Sequence, residues 1–74
     1  MWFVRARKTA LVLKNLIGMS FPVIYEIIKR NSVRISERYM IDVDRLVTVL
    51  REEFHLSEER IQEVLELLMK KEKK

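Results

Sequence analysis

This sequence predicts a small, mostly α fold with a short β-hairpin in its middle and a helix at its C-terminal end. Three observations carry the expectation. Apolar residues recur every three or four positions in several separate stretches, as on one face of a helix. Between residues 32 and 41 that period falls to two, as in a strand pair. One glycine and one proline in 74 residues leave room only for tight connections.

The elements follow in order. Trp2, Phe3 and Val4 favour a short strand. Thr9 is placed to cap a helix over Ala10–Ile17. Gly18 suits the left-handed position that ends a helix, and Met19 and Ser20 complete a three-residue turn. Ser20 is a good N-cap for the next helix, and Pro22 falls in its first turn, where a missing N–H costs nothing. Met19 and Ile24 stand at the staple positions around that cap. Ile24, Ile27 and Ile28 form the buried stripe of this helix, with Val23 and Glu26 on its outer face.

Val33 and Ile35 then alternate with Ser32 and Arg34, and Tyr39 and Ile41 with Arg38 and Met40, which predicts a hairpin turning at Ser36–Glu37. The turn contains no glycine, so its type stays open. Asp42 caps a third helix running to about Phe54, lined by Val43, Leu46, Val47, Leu50 and Phe54. His55 and Leu56 form a break. Ser57 caps the last helix, with Leu56 and Ile61 as its staple. Glu58 and Glu59 open that helix and Lys70 and Lys71 close it, as the macrodipole favours, while Glu72–Lys74 fray.

Composition narrows the function classes. The chain is 49% hydrophobic and 35% charged, which reads as one folded domain. It has no cysteine, so no disulfide framework and no thiolate metal site. High charge with no Cys, two Asn and one Gln resembles thermophile composition. No apolar run approaches the roughly 18 residues of a membrane span. The apolar run Ala10–Leu13 is too short for a signal peptide. A cytoplasmic location is expected, on the nucleoid if the partner is DNA.

Charge is distributed unevenly. Residues 1–41 hold eight Lys/Arg and two acids, net +6, whereas residues 42–74 hold seven Lys/Arg and nine acids, net −2. A basic front and an acidic back point the front toward a polyanion.

Residues "IGMSFPVIYEIIKRN" followed by "VRISERYMIDVDRLVTVL" resemble the excisionase and MerR-type winged helix-turn-helix family. Leu16 and Ile17 match its apolar pair, Gly18, Met19 and Ser20 its turn, Tyr25 the aromatic of its second helix and Lys29 that helix's basic end. Arg38, Tyr39, Met40 and Ile41 match its second wing strand, and Leu46 and Leu50 the following helix. The match covers roughly residues 10–53. It implies a winged helix-turn-helix over residues 1–56, with residues 57–74 as a C-terminal helix of the same compact domain. It also implies DNA binding, in transcriptional regulation or in DNA bending for recombination. The second helix departs from the family pattern. It opens on Phe21, Pro22 and Val23 and carries Glu26, where that family offers polar and basic residues. Direct readout needs donors and acceptors at base edges.

The candidate DNA contacts are therefore Arg5, Arg7 and Lys8 of an N-terminal arm, Ser20, Phe21, Val23, Glu26, Lys29 and Arg30 of the second helix, and Arg34 and Arg38 of the wing. Lys14 adds to the same basic set. Phe21 with Pro22 and Val23 either forms an exposed apolar knob or folds back onto the core. Tyr25 and Tyr39 are expected at the core edge. The stripe Ile61, Val64, Leu65 and Leu68, widened by Leu67 and Met69, either closes the monomer core or pairs with its twin. Its width favours the twin, so a homodimer is expected. His55 stands alone and makes no metal site, and Asp42 and Asp44 serve as cap and dipole partner. No catalytic constellation is present, so neither enzyme activity, a cofactor nor a small-molecule substrate is expected. The competing reading is a protein-docking module using Phe21, Pro22, Val23 and Glu26. Peripheral membrane binding fits less well, because the first helix lacks a clean polar face.

Overall fold

The computed structural model describes residues 2–69. Four helices and three strands follow in the order β1 (Phe3–Arg5), α1 (Ala6–Ile17), α2 (Phe21–Arg30), β2 (Val33–Ile35), β3 (Arg38–Asp42), α3 (Val43–Glu52) and α4 (Glu58–Met69). The fold is mostly helical, with one antiparallel sheet in the order β1-β3-β2. Strand β3 is central. It pairs with β2 through Val33↔Met40 and Ile35↔Arg38, and with β1 through Val4↔Ile41 and Phe3↔Asp42.

The first helix begins earlier than the sequence predicts. Thr9 is not its cap but a fully buried residue of its second turn, donating its hydroxyl to the Arg5 carbonyl at 2.7 Å. Arg5 is both the last residue of β1 and the N-cap of α1. Pairing of β1 with β3 therefore fixes where α1 starts, a long-range cause that local propensity does not register. At the other end Gly18 adopts φ 76 and its N–H reaches the Lys14 carbonyl at 3.0 Å. A Cβ there would meet nothing within 4 Å, so the positive φ alone calls for glycine.

Ser20 occupies the N-cap position of α2, with Pro22 in the first turn, but its hydroxyl makes no capping bond. Met19 stays exposed, so only Ile24 of the expected staple is buried. Ile24 and Ile28 are fully buried and Ile27 packs beside them. At the far end of α2, Asn31 Nδ2 donates to the Ile27 carbonyl at 2.9 Å and Ser32 Oγ to the Ile28 carbonyl at 2.7 Å. These bonds satisfy the last carbonyls and let β2 start almost at once. The hairpin turns on Ser36 and Glu37, with positive φ at Ser36 (60°) and not at Glu37. That is the φ pattern of a type II′ hairpin, built without glycine.

Asp42 caps α3, its carboxylate accepting from the Asp44 N–H at 3.1 Å. The buried residues of α3 are Leu46, Val49 and Leu50, so its stripe is rotated toward Val49 from the expected face. The helix stops at Glu52 rather than Phe54, and the chain turns through a left-handed His55 (φ 56). Ser57 Oγ accepts from the Arg60 N–H at 3.3 Å, starting α4. Lys70 and Lys71, and the tail beyond them, lie outside the described residues.

One core unites these elements: Ala6, Ala10 and Leu13 of α1, Ile24 and Ile28 of α2, Ile41 of β3, Leu46 and Leu50 of α3, and Ile61 and Val64 of α4. Ile61, Val64 and Leu68 are thus interior residues of a single chain and Leu65 packs partly against them. The expected dimer seam is corrected on this point: those side chains already face α1 and α3. Leu67 alone of the α4 apolar residues stands well exposed. No described helix is long and apolar enough to cross a membrane.

Candidate nucleic-acid interface

Tyr39 is the centre of the basic region. It lies on the inner face of the sheet with Ile41 and Val4, at the end nearest α2. Lys29 Nζ sits 5.0 Å from the centre of its ring and Arg34 Cζ 6.0 Å from it. Register explains the second contact, because Arg34 is the cross-strand partner of Tyr39. Each such cation–ring contact contributes about 0.5–1 kcal/mol at an exposed site. The ring thus holds two cations side by side, a role the sequence alone does not reveal.

A hollow of about 260 Å³ opens beside it, lined by Arg5, Arg7, Tyr25, Glu37, Arg38 and Tyr39. The end of β1 supplies Arg5, the first turn of α1 Arg7, and the start of β3 Arg38. Tyr25 comes from α2, and Phe21 stacks on it with centroids 5.6 Å apart and planes 8° from parallel. Phe21 therefore folds inward, the second of the two arrangements open from the sequence, and leaves Pro22 and Val23 exposed, the latter 49%.

Five cations, one from each of β1, α1, α2, β2 and β3, gather round two tyrosines. None forms an ion pair among the described residues, where the salt bridges are Arg51–Glu58 and Arg60–Glu63, both at 2.9–3.0 Å on the far side of the sequence. Glu37 is the one acid lining the hollow. Such a cluster presents many N–H donors to an anion, with fork-shaped guanidinium groups that match phosphate oxygens.

The other expected contacts lie apart. Lys8 lines a neighbouring hollow with Trp2 and Met40. Ser20, Val23, Glu26 and Arg30 are exposed on or beside α2 but line no hollow of this cluster, and Lys14 is exposed near the end of α1. The outward face of α2 thus shows Pro22, Val23 and Glu26, with Arg30 at its end. Among the described residues no group of three or more His, Asp or Glu is placed to hold a metal ion. Comparison with protein-family models, with curated proteins and with solved structures finds no match for this chain.

Proposed function

We propose that this chain is a winged helix-turn-helix protein that grips duplex DNA through its phosphates. In this reading α1 and α2 are the helix-turn-helix, the β2–β3 hairpin is the wing, and Arg5 and Arg7 belong to a basic arm. The observation that carries it is the cluster just described, five cations from five elements with no ion-pair partner among the described residues. The order and spacing of the excisionase and MerR-type motifs support it.

Phosphate contacts fix position without reading sequence. The outward face of α2 offers base edges little, since Pro22 and Val23 carry no side-chain donor and Glu26 repels phosphate. The protein is therefore an architectural, recombination-directing or broadly tolerant regulatory factor, working without cofactor or catalysis. A second reading, protein docking, draws on the exposure of Val23 beside Pro22 and Glu26.

Binding to a random-sequence duplex across a salt series separates the two. Five phosphate contacts give a slope of log K against log salt of about −4.5. Arg34→Ala/Arg38→Ala lowers affinity at least about tenfold and flattens the slope by about 2. A folded protein that fails to bind at low salt rejects the phosphate reading and directs attention to Pro22 and Val23.

A further inference from the structure

A duplex carries its phosphates on the outside, and exposed cations suffice to meet them. The hollow beside Tyr39 holds more than cations, because Tyr25 and Tyr39 line it together with Arg5, Arg7 and Arg38. The two rings differ in what already touches them. Lys29 and Arg34 lie against the ring of Tyr39, whereas no cation lies against Tyr25 among the described residues. Phe21 covers one face of Tyr25 in a near-parallel stack and is not among the residues lining the hollow. Tyr25 therefore meets the hollow from the side away from Phe21, and that stack holds its ring in place.

An aromatic ring backed on one side and open on the other to a basic concavity suits the stacking of an unpaired base. A base inside a duplex cannot reach such a ring without leaving its stack. At about 260 Å³ the hollow is smaller than the roughly 300–1,000 Å³ pockets of drug-sized ligands, so it has room for one base and not for a run of them. Glu37, the acid lining the hollow, opposes phosphate. Its carboxylate accepts hydrogen bonds, however, and adenine, cytosine and guanine each carry an amino group that donates them.

We propose that the hollow takes one unpaired nucleotide of a DNA strand beside a duplex, its base stacked on Tyr25 and its flanking phosphates on Arg5, Arg7 and Arg38. The proposal rests on the phosphate reading above and deepens it: a duplex with a single-stranded extension is preferred to a blunt one. A free nucleotide carries the same base and phosphate. A base tethered to a bound duplex has an effective concentration near the millimolar range, so the tethered base prevails over dilute free nucleotide.

The test measures binding of the full chain to three probes at low salt: a blunt duplex, the same duplex with a short adenine extension, and that extension with abasic residues in place of adenines. The last two carry equal phosphates and differ only in bases. The adenine extension binds at least about fivefold tighter than the abasic one. Tyr25→Leu removes that difference and leaves blunt-duplex affinity within about twofold, whereas Tyr25→Phe keeps both. Circular dichroism verifies that each variant is folded, and the comparison of probes on the unaltered chain decides even if Tyr25→Leu is not. Free deoxyadenosine monophosphate at about 100 µM leaves the difference in place. Equal affinity for the adenine and abasic extensions overturns the proposal, and binding of the blunt duplex then leaves the phosphate reading standing. A difference that survives in folded Tyr25→Leu overturns it too, as does a difference abolished by the free nucleotide. Failure to bind any of the three probes rejects both readings.

Discussion

The front of the molecule, β1 to β3, and its back, α3 and α4, use charge in opposite ways. In the back, Arg51 meets Glu58 and Arg60 meets Glu63, Asp42 caps α3, and Glu58 and Glu59 open α4. Charges there serve local structure. In the front, cations crowd onto one side with no acid in salt-bridge range among the described residues, and they repel one another. Apart from the two contacts with the Tyr39 ring, the front gains no stability from them. Net charge alone conceals this difference, whereas the pairing pattern exposes it.

The largest expected effect lies in the back. Ile61→Ala removes a fully buried side chain of α4 and should cost about 2–5 kcal/mol, measured by urea unfolding. That loss should be the same at every protein concentration. A concentration-dependent loss would show that α4 is shared between chains and would break the division drawn here. A smaller effect sharpens the view of the front. Glu37→Gln removes the acid from the hollow and should raise DNA affinity about two- to fivefold with little change in stability. Unchanged affinity would mean that phosphate does not approach that hollow. The smallest effect is again in the back. Arg51→Ala/Glu58→Ala breaks an exposed pair and should alter the melting free energy by about 0.5 kcal/mol or less, and DNA affinity not at all.

Much of the fold is legible in the sequence because its signals are local. Gly18 at its left-handed turn, the Asp42 and Ser57 caps and the two-residue hairpin turn all depend on neighbours within four positions. What escapes such reading depends on distant partners. Thr9 looks like a cap until β1 is seen to fix the helix start at Arg5. Phe21 fits an exposed knob and the core equally well until its stacking on Tyr25 is seen. Ile61, Val64 and Leu68 have a spacing that serves a dimer seam and a monomer core equally, and only the packing of α1 and α3 decides between them. The basic residues are visible in the sequence, but not which of them converge. Arg5, Arg7, Lys29, Arg34 and Arg38 do, while Lys8 and Arg30 do not.

Strand β1 has one more consequence. Phe3 lies opposite Asp42, and the Val43 N–H donates to the Trp2 carbonyl at 2.8 Å, so the first residues are tied to the middle of the chain. The other front elements are tied to near neighbours, through a three-residue turn or a two-residue one. Holding these contacts means keeping a long loop closed. The β1 amides should therefore be among the first to exchange with deuterium when the native state opens locally. On the proposed phosphate reading, a polyanion that needs all five cations engages only molecules in which β1 is paired. Such binding should by mass action slow exchange at β1 more than in the helices.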